Sequence, residues 1–315
     1  MDHASRPAIL EPDRDGIAEA ARILREGGLV AVPTETVYGL AARADRDESV
    51  AAIYRAKGRP SFNPLIVHVP DLATAQALAA FDERALRLAE AFWPGPLTMV
   101  LPLRKQAPVA AAVTAGLTTI ALRCPAHPVM RRLIAEAGVP LAAPSANRSG
   151  GVSPTDSAHV VESLGARIDA VLDGGACKSG LESTIVALRG DGRWQVLRPG
   201  PIEESCISAE LGTPSEAVTL QEIEAPGQLA SHYAPGKPVR LNAQTSRADE
   251  FHIGFGEVAG DVTLSGSGDL EEAAARLYAL LHAGAASPKP RIAVAPIPEE
   301  GVGTAINDRL RRAAA

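Results

Sequence analysis

Apolar and polar positions recur along this chain with two periods, and the switching between them predicts a layered α/β order. Over 13–26, Ile17, Ala20, Ala21 and Leu24 fall three or four apart and Gly27-Gly28 ends the run, which predicts an amphipathic helix. A short apolar run at 29–32 predicts a buried strand, and Val50, Ile53 and Tyr54 predict a helix over 47–56. A strand at 65–69, two helices within 71–92 broken near Phe81-Asp82, and a strand at 97–103 follow. The alternation continues with strands at 119–123, 141–143, 170–172, 184–188 and 195–197, and helices at 127–137 and 156–164. Such alternation predicts a sheet largely covered by helices, and the late run of strands predicts some antiparallel or mixed pairing.

Past Gly212 the period fades into a polar stretch punctuated by Pro and Gly, so 213–236 reads as a linker. The pattern then restarts. It predicts strands near 239–241, 252–255, 262–264 and 291–294, and helices over 270–283 and 304–312, a small α/β unit of its own. The expected division is therefore 1–212, a linker 213–236, and 237–315. The length of 315 residues agrees, because single cores rarely grow beyond about 250–300 residues.

Composition narrows the class. Hydrophobic residues make up 46% and aromatic residues 3%, so the core must be built from Ala, Val, Leu and Ile. A net charge of -6 argues against bulk-charge attraction to nucleic acid, though local basic clusters can still hold a small anion. Cys124, Cys177 and Cys206 are widely spaced and form no CxxC pair, so neither a disulfide framework nor a zinc site is expected. With no apolar segment at the N-terminus and no long apolar run, a cytoplasmic protein without membrane association is expected.

Four stretches carry candidate chemistry. Arg55, Lys57 and Arg59 lie within five positions, with Gly58 and Pro60 turning the chain. Like charges this close are eased by an anion among them, and Arg and Lys suit phosphate as a planar fork and a movable charge. A solvated helix C-terminus accounts for the same cations through the helix dipole. Pro33-Thr34-Glu35-Thr36-Val37-Tyr38-Gly39-Leu40 follows a buried strand and suits a ligand crevice at a strand end. Ordinary cap chemistry, with Thr34 as N-cap and Glu35 in a first turn, explains it as well. Pro144-Ser145-Ala146-Asn147-Arg148-Ser149-Gly150-Gly151-Val152-Ser153 suits close approach of phosphate oxygens or a flexible surface loop. The stretch 174–184 is glycine-rich, but Cys177 stands where a phosphate loop needs its glycine, so a tight turn is expected. Arg123 suits a substrate carboxylate or a structural ion pair, and His68 a core hydrogen bond or a catalytic one. No nucleophile elbow, HExxH or GxGxxG after a strand occurs.

Five motifs in one order then carry a resemblance: the stretch at 33–40; Lys57-Gly58-Arg59-Pro60 with Asn63-Pro64-Leu65; Trp93-Pro94-Gly95-Pro96-Leu97-Thr98; Ser145 to Gly150; and Glu182-Ser183-Thr184-Ile185-Val186. Together they resemble the YrdC-like domain of threonylcarbamoyl-AMP synthases over about 13–201. Ser231-His232-Tyr233-Ala234-Pro235-Gly236, followed by a small α/β unit, resembles the long two-domain form. The resemblance implies a twisted mixed sheet with flanking helices and a concave basic cavity, plus a Rossmann-like C-terminal domain. It implies synthesis of threonylcarbamoyl-AMP and pyrophosphate from L-threonine, bicarbonate and ATP with Mg²⁺, and partner enzymes that transfer the threonylcarbamoyl group to tRNA. By the same resemblance Thr36, His68, Arg123, Ala143 and Ser183 line the threonine pocket. Arg59, Asn63, Thr119, Ser145, Ser153, Arg198 and Tyr233 contact ATP, and Lys57 joins Arg59 at the phosphates as a catalytic cation. No metal ligand from a side chain is expected. Two other readings fit less well. A carbamoyl-transferring relative would carry zinc-finger cysteines, and an RNA-binding module would favour more positive charge and more aromatics.

Overall fold

The computed structural model describes residues 6–217, 223–229 and 231–315. Ten strands among them form one sheet: β1 (Ala8–Leu10), β2 (Val30–Val32), β3 (Gly39–Arg43), β4 (Ile66–His68), β5 (Leu97–Pro102), β6 (Thr119–Arg123), β7 (Leu141–Ala142), β8 (Ala170–Leu172), β9 (Thr184–Leu188) and β10 (Trp194–Arg198). The spatial order is β1-β8-β2-β3-β7-β4-β6-β5-β9-β10, with β4–β6 and β5–β9 parallel and β3–β7, β4–β7, β5–β6 and β9–β10 antiparallel. The mixed pairing expected from the late strands is present.

Side chains alternate across a strand, so each strand serves two layers. Val67, Leu122 and Val186 enter the main core with the helices Asp47–Lys57, Leu72–Leu78 and Glu83–Phe92. Their neighbours Ile66, Ala121 and Ile185 face the other way and pack beneath Ala225, which belongs to the 213–236 segment. The described residues around Ala225 therefore cover part of one face of the sheet.

A second sheet of four parallel strands follows: β11 (Val239–Arg240), β12 (Glu250–Gly254), β13 (Val262–Thr263) and β14 (Arg291–Val294), in the order β11-β14-β12-β13. The helices Leu270–Ala286 and Gly303–Ala313 accompany it. One apolar cluster joins Val37, Val152 and Leu181 of the first unit to Tyr233 of the intervening segment and to Leu277, Tyr278 and Ile306 of the second unit. Gly180, at φ +67, makes this approach possible: a Cβ there would stand 2.4 Å from Ala274 O. The turn predicted at 174–184 is thus a docking point for the helix Leu270–Ala286. No described helix is long and apolar enough to cross a membrane.

Two strands escaped the pattern, β1 and β3. Gly39–Arg43 is buried along nearly its whole length and reads GLAAR, so it shows no alternation. No helix follows Thr34, which corrects the capping alternative. Thr34 Oγ1 instead accepts from the N–H groups of Thr36 and Val37 and closes a turn between β2 and β3.

Candidate active site

A cavity lies over the face of the large sheet that carries Ile66, His68 and Ala143. Its wall includes Thr34, Thr36, Gly39, Arg59, Arg123, Ser145, Glu182, Ser183 and Arg198, and its roof is Pro226, Gly227, His232 and Tyr233. Three guanidinium groups against one carboxylate make the lining basic, as a site for phosphate and carboxylate requires.

The strand registers explain the convergence. Arg123 pairs with His68 at the ends of parallel β6 and β4. Leu97 of β5 lies opposite Thr184, which brings Ser183 to the same end, and Ser183 Oγ bonds Thr98 Oγ1 at 2.8 Å. An isolated bridge between Gly39 and Ser145 closes the opposite side. Arg198 donates to Ser183 O from Nε at 3.1 Å and from Nη2 at 3.0 Å, and the same Nη2 reaches Ser183 Oγ at 3.1 Å.

Arg123 is more committed than a free carboxylate receptor. Nε donates to Gly95 O at 3.2 Å, Nη1 to Thr36 Oγ1 at 2.9 Å and Nη2 to Glu35 Oε1 at 2.5 Å. Burial alone would raise the Glu35 carboxyl, but Arg123 outweighs it and holds it at about 2. His68 is lowered to about 3 by burial and then by Arg123, so its ring is neutral at pH 7. His68 Nδ1, His232 Nδ1 and Tyr233 OH are buried and have no partner among the described residues. Buried polar groups are normally paired, so these three atoms on cavity-lining residues are available to hydrogen-bond a ligand. Tyr233 also holds φ +62, a strained backbone for a bulky residue and a feature of functional sites.

Arg59 lines the cavity while its Nη2 grips Asn63 Oδ1 at 2.6 Å and Pro64 O at 2.8 Å. Burial, with Arg198 acting in the same direction, lowers its guanidinium to about 10. Asn63 thus stands behind Arg59 instead of forming the wall. Thr119 lies outside the lining as well. The parallel register of Ile66 with Ala121 carries it level with Pro64, at the Asn63 end of the sheet.

Lys57 departs further from expectation. It is 2% exposed and does not line the cavity, and its Nζ donates to Ser145 O and Asn147 O at 2.5 Å each. Burial and then Arg59 hold it well below the usual lysine range. It braces the 145–147 loop, so the helix-end cation turned inward. Ser153 departs too. Its hydroxyl donates to Glu182 Oε1 at 2.5 Å behind the wall. Tyr38, part of the crevice motif, sends its phenol to Gly175 O at 2.8 Å, away from the cavity. Sequence reasoning missed Thr34, Glu182 and His232 as lining residues, although all three lie inside the motifs it quoted.

The family model described as "Telomere recombination" matches residues 22–200, and the model "Threonylcarbamoyl-AMP synthase, C-terminal domain" matches 200–315. The chain belongs to the threonylcarbamoyl-AMP synthase family, in its long two-domain form. The family's threonylcarbamoyl-AMP synthase of Bacillus subtilis is 39% identical, over 95% of this chain and 92% of that protein. The one of Pyrococcus abyssi is 38% identical, over 93% and 92%. A crystal structure titled P. abyssi Sua5 complexed with L-threonine superposes with a TM-score of 0.88 at 35% identity, covering 98% of this chain and 97% of that one.

Proposed function

We propose that this chain condenses L-threonine, bicarbonate and ATP into threonylcarbamoyl-AMP and pyrophosphate, and that an enzyme acting on tRNA consumes the product. One observation carries the reading. The expected amino-acid residues Thr36, His68, Arg123, Ala143 and Ser183 and the expected nucleotide residues Arg59, Ser145, Arg198 and Tyr233 line one cavity.

The chemistry asks little covalent work of the protein. The threonine amine condenses with bicarbonate to a carbamate with loss of water, a carbamate oxygen attacks the α-phosphorus, and pyrophosphate leaves. Positioning and charge neutralisation supply the acceleration. At one end, Arg123, held by Glu35, meets the amino-acid carboxylate with its remaining N–H groups, while Thr36, His68 and Ser183 offer hydroxyl and imidazole partners. At the other end, Arg59 and Arg198 face the phosphates, and Ser145 adds a hydroxyl. Lys57 acts by fixing the Ser145 carbonyl. Asn63 supports Arg59, Thr119 extends the nucleotide end, and Ser153 supports Glu182.

No cluster of three His, Cys, Asp or Glu suited to a metal occurs among the described residues. Glu182, the carboxylate in the lining, is taken by Ser153, Tyr278 and Arg309, so a Mg²⁺ ion would be held mainly by ATP phosphates, where it would neutralise charge. The division 1–212, 213–236 and 237–315 gives the middle segment the task of roofing the cavity. The roof excludes water from a labile mixed anhydride.

Pyrophosphate formation, measured with and without threonine and bicarbonate, tests the reading. Release that needs both supports it, and release indifferent to threonine rejects it.

A further inference from the structure

Arg309 belongs to the last helix, Gly303–Ala313, far in sequence from every cavity motif. Its side chain is fully buried, which is rare for arginine unless it is paired. Nε donates to Glu182 Oε2 at 2.9 Å, Nη2 to Pro199 O at 2.9 Å and Nη1 to Asp308 Oδ2 at 2.7 Å. The guanidinium carbon also stands over the Tyr233 ring, 5.3 Å from its centroid.

Glu182 is a cavity wall residue directly before Ser183, and every oxygen it has is used. Oε1 accepts from Ser153, and Oε2 accepts from both Arg309 and Tyr278 OH, the latter at 2.8 Å. Tyr278 in turn stacks on Tyr233, with ring centroids 5.6 Å apart. The same last helix holds the roof segment at two further points. Arg312 Nη1 donates to Leu229 O at 2.6 Å, and Arg312 O accepts from His232 N at 3.2 Å.

We propose that Arg309 is a positioning residue for the active site, by which the C-terminal domain sets the Glu182 wall and the Tyr233 roof together. The role rests on the proposed nucleotide site, because Tyr233 is the group whose placement it serves. One guanidinium touches both elements, so displacing it frees both. A buried charge whose partner is lost is also costly, which couples Glu182 to Arg309 in either direction.

The test measures ATP binding by calorimetry and proteolytic protection of the 223–236 segment by ATP in the full-length chain, with circular dichroism as the check on folding. R309M is expected to weaken ATP binding at least tenfold and abolish protection. R309K keeps a cation but loses the planar fork, and is expected to weaken ATP binding at least threefold while binding more tightly than R309M. Wild-type binding in R309M overturns the proposal, as does a folded R309K no tighter than R309M. If R309M does not fold, R309K decides: ATP binding weakened at least threefold with reduced protection of the segment supports the proposal, and wild-type binding and protection overturn it. These readouts need no turnover. A chain that binds ATP through this coupling yet forms no threonine-dependent pyrophosphate would overturn the proposed function and leave the positioning role standing.

Discussion

Arg123 and Glu35 form a buried ion pair, 2.5 Å between Nη2 and Oε1, with side-chain exposures of 4% and 12%. Glu35 is further tied to the backbone N–H of His127, the N-cap of the helix Pro128–Ala137. The cation proposed to meet the amino-acid carboxylate is therefore aimed by a carboxylate that is itself fixed at a helix start. Arg123→Ala should raise the threonine KM at least tenfold and the ATP KM much less. Glu35→Gln should raise the threonine KM by a smaller factor, through looser aim. Steady-state kinetics in each substrate check both, and a larger effect on ATP would contradict the placement.

Lys57 and Arg59 lie two positions apart and should fail differently. Removing the Lys57 amine leaves two buried carbonyls without a donor, at about 1–3 kcal/mol for each unsatisfied group. Lys57→Ala should therefore lose stability measurably along with activity. Arg59→Ala strips three buried acceptors, Asn63 O, Asn63 Oδ1 and Pro64 O, so it should lose at least as much stability, and it should lose more ATP affinity because Arg59 lines the cavity and Lys57 does not. Denaturant midpoints beside ATP titrations check both, and ATP affinity weakened more by Lys57→Ala than by Arg59→Ala would refute the distinction.

The contrast shows what the sequence could and could not reveal. Periodicity identified most strands because alternating or uniformly apolar runs leave a local trace, and the motif stretches identified most of the lining. Periodicity does not say which way a helix-end cation points, so Lys57 was expected at the phosphates. Glu182 and Arg309 are 127 positions apart, and nothing local in either segment announces the pair. Gly39–Arg43 hid because a strand buried on both faces, made of small residues and following a polar motif, looks like the end of a loop.

Acid should destabilise the fold steeply. His68 and His232 are lowered to about 3, mainly by burial, and His282 to about 4 by burial and then His159, whose ring stacks on it at 3.9 Å. A histidine lowered on folding binds its proton first in the unfolded chain. Its contribution is thus intact above about pH 6.5 and shrinks as pH falls toward the folded value. Glu35 and Glu182, both held at about 2, act in the same direction below about pH 4.5. Stability should fall continuously from about pH 6.5 to 3, and His282→Gln should flatten the upper part of that slope. Urea midpoints at pH 7, 5.5 and 4 check this, and an unchanged slope in the variant would exclude His282.

Gly227 seats the roof. It holds φ +87, and a Cβ there would stand 2.8 Å from Arg198 Cδ and 3.0 Å from Tyr233 OH. Gly227→Val adds both backbone strain and a clash with two cavity residues. The roof should lift while the sheet beneath stays folded. The expected result is weaker ATP binding, at least tenfold, and a shorter lifetime of the adenylate in single-turnover assays. Unchanged product lifetime would show that the segment does not shield the product.

Selectivity for the amino acid follows from what the cavity presents beside Arg123. Thr34, Thr36 and Ser183 supply hydroxyls and His68 an unpaired Nδ1. The hydroxyls already have partners in the protein, but valine, which matches threonine in shape and cannot hydrogen-bond, would leave His68 Nδ1 desolvated without one, at a cost of about 1–3 kcal/mol. That cost lowers kcat/KM for valine about 5- to 150-fold. Serine keeps the hydroxyl and lacks only a methyl, worth about 1 kcal/mol of burial, so it should lose less than tenfold. The predicted order is threonine, then serine, then valine, read from pyrophosphate release at matched concentrations. A valine rate above that of serine would mean that the cavity reads the methyl group more strongly than the hydroxyl.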